Sequence, residues 1–326
     1  MSDMFLAWWN LENLFDVEGS ANRPAWLQET LKNEVKGWTQ AILDKKISQL
    51  SSIIRGLNNN KGPDILGVCE VENKPVVDLL AQGLQPLGRN YAVEHHDTSD
   101  QRGIDVAFIY DVDLFKAEAQ FFYIVSKRTG TRDLFQVNFR DKATNKLLVL
   151  IGNHWPSRSG GELDSEPFRI QAGETLGYWV ERIPDKSGEP NVGIVLMGDF
   201  NDEPFNRSVM NHALGSNSET IILKAKNPYS LNLMWPFLSK GLGTFYYDST
   251  PNVLDQFMVS KSILKVEEEC GFMVKKNPDG SYKVAIEMNP AMMKNGKPVP
   301  FGRPNKNLNQ AGHSDHFPIS MELVEI

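Results

Sequence analysis

The sequence predicts an α/β protein in which mixed β-sheets are covered by helices. Apolar segments of strand length alternate with amphipathic segments of helix length along the chain. Short polar turns join some of the neighbouring strands, which adds antiparallel pairs to the sheets. No internal repeat or low-complexity linker divides the 326 residues. We therefore expect residues 1–326 to form one domain.

The first half of the chain alternates between the two kinds of element. Residues 4–9 predict a strand, and 16–36, which contains Gly19 and Pro24, predicts an irregular surface loop. Apolar side chains at three- and four-residue steps predict a helix over 38–57, which the Asn-rich segment up to Pro63 ends. The remaining expected elements are a strand over 64–71, a helix over 75–84, and a strand pair over 91–94 and 104–110.

The second half predicts a hairpin over 134–140 and 146–152. A helix follows over 166–183, with Asp164 or Ser165 available as N-cap and Pro167 in its first turn. Further expected elements are a strand over 192–197, a short helix over 207–214, and strands over 244–247, 254–259 and 317–324. Residues 277–309 are rich in Pro, Gly, Asn and Lys, and predict a long excursion beside the functional site.

Composition limits the function classes. The formal net charge is −7, which disfavours a protein that coats nucleic acid through charge alone. The two cysteines cannot build a disulfide framework, and Cys69 lies in an apolar run, so we expect it to be buried and free. The first residues lack the pattern of a signal peptide, and no apolar run reaches the length of a transmembrane helix. We therefore expect a cytoplasmic protein without a membrane partner.

Polar side chains gather where the predicted strands end or begin. Each alone has an ordinary explanation as a turn residue, a solvated carboxylate, a loop histidine or a helix cap. The positions are Asn10, Glu70, His154, Asp199 with Asn201, Asp255, and the pair Asp315-His316. Together, hard oxygen ligands and two imidazoles without a thiolate cluster favour Mg²⁺ or Mn²⁺ over structural zinc.

Seven motifs in order carry a resemblance that spans residues 9 to 316. They are Trp9-Asn10-Leu11-Glu12-Asn13, Cys69-Glu70-Val71-Glu72-Asn73, Arg102-Gly103-Ile104-Asp105-Val106, Asn153-His154-Trp155-Pro156-Ser157, Gly198-Asp199-Phe200-Asn201, Leu254-Asp255-Gln256 and Ser314-Asp315-His316. The chain resembles the endonuclease/exonuclease/phosphatase superfamily, which includes pancreatic deoxyribonuclease and the apurinic endonucleases. The resemblance implies a four-layer α/β/β/α sandwich, in which two mixed, mostly antiparallel sheets pack face to face with helices outside.

The resemblance also implies roles for single residues. Asn10 and Glu70 would hold the divalent metal, with Asp315 as a further ligand. Glu72 is the alternative to Glu70, because residues two apart in a strand point to the same face of the sheet. In the implied mechanism, Asp199 activates water with help from Asn201. His316, held by Asp255, stabilises the phosphate, and Arg102 and Ser157 contact it. His154 protonates the leaving oxygen, with Asp105 as the carboxylate that orients it.

The substrate is left open by the motifs. The resemblance is strongest to the deoxyribonuclease-like branch of bacterial nuclease type, so we expect a nuclease with DNA as the preferred substrate and RNA as the second. The alternative is a small-molecule or nucleotide phosphodiesterase or phosphatase of the same superfamily, and a non-catalytic binding module is the third. A basic wall would serve DNA, and its candidates are Lys127, Arg128, Arg132, Arg158, Lys240 and residues 294–306, with Trp155 and Trp235 available for stacking.

Two further expectations concern ligands and partners. The run Val253-Leu254-Asp255-Gln256 departs from the Cys-Asp-Arg pattern of phosphoinositide phosphatases, which counts against a lipid phosphatase. Deoxyribonuclease-like enzymes also use structural Ca²⁺, but the sequence identifies no Ca²⁺ ligands. It gives no indication of an obligate protein partner.

Overall fold

A computed structural model describes residues 3–264 and 270–326, in which two large β-sheets carry the fold. The strands, in chain order, are β1 (Asp3–Leu14), β2 (Ile65–Val71), β3 (Tyr91–His95), β4 (Asp105–Asp111), β5 (Phe115–Tyr123), β6 (Leu134–Asp141), β7 (Leu147–His154), β8 (Gly193–Asp199), β9 (Gly215–Ser216), β10 (Ser230–Asn232), β11 (Phe245–Tyr247), β12 (Thr250–Asn252), β13 (Asp255–Val259), β14 (Phe272–Val274), β15 (Val284–Ile286), β16 (Met293–Lys294), β17 (Lys297–Pro298) and β18 (Ile319–Glu325). The α-helices are α1 (Ala25–Leu31), α2 (Gln40–Asn60), α3 (Lys74–Gln82), α4 (Glu162–Ser187), α5 (Glu219–Lys224) and α6 (Trp235–Ser239).

Each large sheet has seven strands and is mostly antiparallel. The first sheet runs β14-β18-β1-β2-β4-β3, with β15 also paired to β18. The second runs β5-β6-β7-β8-β13-β10-β9. Among the described strands, parallel pairs join only β1 to β2, β7 to β8, and β9 to β10. The predicted pair of mixed, mostly antiparallel sheets is confirmed.

Two apolar layers flank the second sheet, because neighbouring side chains along a strand point to opposite faces. In β7, Leu148 and Leu150 join the core shared with the first sheet, whereas Val149 and Ile151 join the cluster under α4. Helices α2 and α3 contribute buried apolar side chains to the core that contains the first sheet. Helices therefore cover the outer faces, which confirms the four-layer sandwich.

The two sheets approach closely at Gly67 in the middle of β2. A Cβ atom there would lie 2.6 Å from Cε3 of Trp8 and 2.9 Å from Sδ of Met197 in the other sheet. Both distances are shorter than real contacts allow, so glycine is required for this packing. The same contact brings the ends of β1, β2 and β8 together, and these strands carry several of the predicted site residues.

Several sequence predictions need correction. The segment 16–36 is not wholly irregular, because α1 begins after Pro24 and buries Leu27 and Leu31, which lie one helical turn apart. Strand β5 was missed because its edge position leaves most of its side chains exposed. Helix α4 begins at Glu162 after Gly161, so Asp164 and Ser165 lie in its first turn and are not its N-cap.

The excursion over 277–309 is more ordered than its composition suggests. It supplies β15 to the first sheet and the small hairpin of β16 and β17. The helix predicted over 207–214 is a five-residue π-helix, Ser208–His212. Among residues 3–264 and 270–326, none of the helices has both the length and the apolar character needed to cross a membrane.

Candidate active site

Three neighbouring strands of the second sheet bring His154, Asp199 and Asp255 side by side. His154 at the end of β7 pairs in register with Asp199 at the end of β8, and Asp255 at the start of β13 pairs with Asp199 from the other side. Residues directly opposite each other in a sheet point to the same face. All three are almost completely buried, so the sheet itself assembles a row in which Asp199 lies between His154 and Asp255.

The first sheet contributes the other half of the site. The side-chain amide of Asn10, in β1, donates a hydrogen bond across the sheets to Oδ2 of Asp199 (3.0 Å). Ser314 donates to the carbonyl oxygen of Asn10 (2.7 Å), and Nε1 of Trp9 donates to the carbonyl oxygen of His316 (2.8 Å). The segment just before β18 is therefore tied to β1, which places His316 at the same end of the sandwich as Asp199.

His316 and Asp255 form a buried acid–imidazole pair. Nδ1 of His316 lies 2.7 Å from Oδ2 of Asp255, and Nε1 of Trp8 donates to the other oxygen of Asp255 (3.1 Å). Burial opposes the charge on the imidazole, but the negative charges of Asp255, Asp315 and Asp199 outweigh it and raise the pKa of His316 well above its usual value. These negative charges therefore favour the imidazolium form of His316.

Asp199 is held in one orientation by two donors. The backbone N–H of Asn201 donates to Oδ1 (2.9 Å) and the amide of Asn10 donates to Oδ2. Burial raises the pKa of Asp199 to about 6, although the charge on His316 opposes this shift. The side chain of Asn201 donates to the carbonyl oxygen of Trp155 (3.0 Å) and so links β8 to the segment after β7. A carboxylate with a pKa near neutrality has the properties of a general base.

The surroundings of His154 differ from the sequence prediction. Its Nε2 lies 3.7 Å from Oε1 of Glu70 and 4.0 Å from Oδ2 of Asp199, and its Nδ1 has no hydrogen-bond partner among the described residues. The expected orienting carboxylate, Asp105, instead accepts hydrogen bonds from the backbone and hydroxyl of Thr98 and does not contact His154. The pairing of Asp105 with His154 is therefore corrected, because the turn after β3 places Thr98 against that carboxylate.

Burial and nearby positive charges keep His154 neutral. Burial is the largest cause, and the charges of Arg132, Arg102 and His316 add to it, so the pKa of His154 lies well below its usual value. The two histidines thus differ in protonation state. A neutral His154 can become an acid only when a negative charge arrives beside it, as a bound phosphate ester would supply.

The expected metal ligands converge on one acidic region. The backbone N–H of Asn13 donates to Oε2 of Glu70 (2.9 Å), which leaves Oε1 facing His154. Burial raises the pKa of Asp315, and the charge of Glu70 raises it further, whereas His316 and Lys46 oppose the shift. Carboxylates that repel each other in a buried region, together with the oxygen of Asn10, fit a hard divalent cation such as Mg²⁺ or Mn²⁺.

A β-bulge separates the surroundings of Glu70 from those of Glu72. The pairing register shifts between Cys69 and Val71, and Glu70 adopts a left-handed backbone with φ of 61°. Such a bulge re-aims one side chain and breaks the alternation on which strand parity depends. Glu72 forms a buried ion pair with Arg23 (2.6 Å).

Sequence reasoning missed two charged residues beside this region. The ammonium group of Lys46, on α2, is completely buried and donates to the carbonyl oxygen of Glu12. The carboxylate of Glu12 accepts from the backbone N–H groups of Phe301 (2.6 Å) and Gly302 (3.1 Å), so the 277–309 excursion does border the site. Burial and the charge of Asp315 raise the pKa of Glu12 to about 7. The sequence feature that could have revealed this arrangement is Lys46 itself, a lysine on the apolar face of a helix.

The predicted phosphate contacts lie at the rim. Arg102 is exposed, and its guanidinium donates to Oδ1 of Asn13, next to the acidic region. Ser157 is exposed, and its hydroxyl accepts from the backbone N–H of Ser159 (3.2 Å). Both remain reachable by a substrate, but neither contacts the His316–Asp255 pair.

Part of the expected basic wall is occupied by structural contacts. Arg132 is buried, pairs with Asp100 (3.0 Å) and donates to the carbonyl oxygens of His154 and Trp155. Arg158 pairs with Asp202 (3.1 Å) and donates to the carbonyl oxygen of Asn201. Trp155 is buried against Phe200, which excludes it from stacking on a substrate. These residues support the site from behind and do not line it.

Fold and site together define a class: the two-sheet α/β sandwiches related to pancreatic deoxyribonuclease, in which acids and histidines meet at one end of the sheets. More specifically, residues 5–325 match the model of the endonuclease/exonuclease/phosphatase family, and the chain belongs to that family. The family comprises phosphoester hydrolases, which are generally dependent on divalent metals. No curated protein sequence matches the chain significantly.

Solved structures of low sequence identity share the fold. One is an endonuclease/exonuclease/phosphatase family protein from Bacteroides thetaiotaomicron, with 17% identity, a TM-score of 0.55, and coverage of 100% of this chain and 98% of that one. A mannosyl-6-phosphatase from the same species has 17% identity, a TM-score of 0.54, and coverage of 98% and 99%. Humanized TDP2 from D. rerio has 13% identity, a TM-score of 0.57, and coverage of 99% of both chains.

Proposed function

We propose that the chain hydrolyses phosphodiesters at the site formed by His154, Asp199, Asp255 and His316. The observation that carries the proposal is the buried pair of His316 and Asp255, 2.7 Å apart, in the same site as a carboxylate whose pKa is raised to about 6. A positive charge on His316 beside the carboxylate base Asp199 suits attack of water on a phosphate, where negative charge builds on the phosphoryl oxygens.

The residues divide the work as follows. Asp199, fixed by Asn201 and Asn10, accepts a proton from the attacking water. The imidazolium of His316 donates a hydrogen bond to a phosphoryl oxygen, and Asp255 keeps it charged and oriented. The substrate's charge raises the pKa of His154, which then takes up a proton from solvent and donates it to the leaving oxygen.

Asn10, Glu70 and Asp315 would hold the divalent cation. When bound, it supplies Lewis-acid stabilisation of charge on the phosphate. The chain's own contribution is the bulge that re-aims Glu70 and the Ser314 bond that ties the segment of Asp315 to Asn10. Arg102 at the rim is placed to contact the same phosphate.

The substrate we propose first is a nucleic acid, with DNA preferred over RNA. The deoxyribonuclease-like motifs support it, and so do the exposed basic side chains of Arg128 and Lys240. A small phosphodiester or phosphomonoester is the second candidate. It is favoured by the net charge of −7 and by the ion pairs that occupy Arg132 and Arg158, since both reduce the positive surface available to a long polyanion.

One assay separates these candidates. Supercoiled plasmid, single-stranded RNA and bis(p-nitrophenyl) phosphate are each incubated with the chain in Mg²⁺, Mn²⁺, Ca²⁺ or EDTA. Cleavage of plasmid with Mg²⁺ or Mn²⁺, and none in EDTA, is the expected result. Cleavage of bis(p-nitrophenyl) phosphate alone would show that the chain hydrolyses small phosphodiesters and is not a nuclease. No cleavage of any of the three substrates would refute phosphodiester hydrolysis.

Two variants and a control tie the activity to the site. His316→Ala and Asp199→Ala are each expected to reduce turnover by about 10²-fold or more while the circular dichroism spectrum is kept. His212→Ala is the matched control, because His212 lies on the π-helix and pairs with Glu174, away from the site. Retained activity in both site variants would show that the reaction occurs elsewhere.

A further inference from the structure

A second group of ligand-type side chains lies at the end of β3. It contains His95, Asp97 and Asp105, and one ligand atom from each can be chosen so that all three lie within 4.8 Å of one another. From this geometry we propose that His95, Asp97 and Asp105 bind a divalent transition-metal ion such as Zn²⁺, at a site separate from the catalytic one. The proposal does not depend on the proposed function.

The imidazole of His95 is the observation that points to a ligand. Its side chain is only 3% exposed, and Nε2 is buried without a hydrogen-bond partner among the described residues. A buried polar nitrogen without a partner is costly, so its presence calls for a group that the protein atoms do not provide. Nε2 lies 3.7 Å from Oδ2 of Asp105, which is too long for a hydrogen bond.

That separation suits two ligands of one metal ion. A metal at about 2.1 Å from each atom allows ligand separations up to about 4.2 Å, and 3.7 Å falls inside this limit. Oδ1 of Asp105 is engaged by Thr98, so Oδ2 is the oxygen left over. Asp97 has an 82% exposed side chain, and its Oδ1 lies 4.0 Å from Nδ1, the other ring nitrogen of His95. It still offers an oxygen within the 4.8 Å limit of the group.

The donor atoms of the group suit a metal ion. Burial lowers the pKa of His95 to about 4, so the imidazole is neutral and has a lone pair to donate. Burial raises the pKa of Asp105 to about 8, and a bound cation would relieve the cost of ionising it there. An imidazole combined with carboxylates selects borderline ions such as Zn²⁺ above Mg²⁺ or Ca²⁺.

The position suggests what the ion would do. The turn between His95 and Asp105 carries Arg102, the rim candidate for phosphate contact, and Asp100, which pairs with Arg132. Arg132 in turn binds the carbonyl oxygen of His154. A metal that joins the two ends of this turn would hold Arg102 and the end of β7 in a single arrangement.

Zn²⁺ binding tests the site without any activity measurement. The assay uses the full chain with Glu70→Gln and Asp315→Asn, which disable the catalytic metal region, and measures Zn²⁺ by equilibrium dialysis and the visible absorption of bound Co²⁺. One Zn²⁺ per chain is expected. His95→Gln and, separately, Asp97→Asn in this background should weaken binding by at least about 10-fold. His96→Gln is the control, because that neighbour lies beside Asp133 instead.

Each remaining outcome overturns the proposal. Absence of bound Zn²⁺ in the background protein would show that His95 and Asp105 are a simple polar contact. Unchanged binding in both His95→Gln and Asp97→Asn, or loss of binding only in His96→Gln, would place the ion elsewhere. Asp97→Asn keeps the test valid if His95→Gln does not fold, since an exposed side chain contributes little to stability.

Discussion

Replacing Asp255 by Asn removes one negative charge from a fully buried contact and keeps the size of the side chain. In the wild-type chain this carboxylate lies 2.7 Å from Nδ1 of His316 and also accepts from Nε1 of Trp8. A hydrogen bond between charged groups contributes about 1.5–3 kcal/mol. Its loss should therefore lower the pKa of His316 by about one to two units, at 1.36 kcal/mol per unit.

The catalytic consequence follows from the charge on His316. An imidazolium that becomes neutral at the pH of the assay is a weaker donor to the phosphate, and loss of one such donor costs about 10²–10³-fold in kcat. We expect Asp255→Asn to show this loss with a much smaller change in KM, because the interaction strengthens as charge builds in the transition state. Turnover of bis(p-nitrophenyl) phosphate and NMR titration of the histidines measure the two effects independently.

A matched control makes the result interpretable. Asp111 is also buried and pairs with Arg89 (2.7 Å), but it lies at the opposite end of β4 from the site. Asp111→Asn should lower the unfolding midpoint and leave kcat within about two-fold. The reasoning is refuted if folded Asp255→Asn keeps more than a tenth of the activity, or if the pKa of His316 does not fall.

Three further predictions concern pH, stability and metal. Because burial raises the pKa of Asp199 to about 6 and the base acts only when deprotonated, kcat/KM should fall as the pH drops below about 6, and a profile flat down to pH 4.5 would contradict this role. Arg23→Met should cost about 3–5 kcal/mol in urea unfolding because it leaves Glu72 buried without its partner, and adding Glu72→Met should recover most of the loss. Lys46→Met removes the positive charge that offsets the carboxylates around Asp315. The thermal midpoint of this variant should be lower than that of wild type in EDTA, and Mg²⁺ should raise it by more. Equal Mg²⁺-induced shifts in the two proteins would show that Lys46 does not offset these negative charges.

Much of the sheet architecture was predictable, because the spacing of apolar residues along the sequence reflects which side chains are buried. Strand β7 is a continuous apolar run since both of its faces are covered, and the hairpin with β6 was visible from the polar turn between them. Helix α1 and strand β5 escaped prediction for the opposite reason. A short helix with two buried leucines and an edge strand with a mostly exposed face carry too little periodic signal.

The candidate site was also predictable only in part. The polar ends of the strands were visible in the sequence, and the pairing of His316 with Asp255 followed from the family resemblance and is present at 2.7 Å. The partner expected for His154 was wrong, because the turn after β3 turns Thr98 toward Asp105. Local sequence does not encode which of several nearby donors reaches a buried carboxylate, since that depends on the path of the intervening loop.

The sequence alone determined the family, the order of the strands that carry polar ends, and the chemistry of those ends. Only the tertiary structure decided which charges meet. The bulge at Glu70 separates it from Glu72, Lys46 enters the acidic region from α2, and opposite protonation states of the two histidines arise from neighbours on other strands. The physical reason is that pKa values and ion pairing depend on burial and on charges a few ångströms away in space, whatever their separation along the chain.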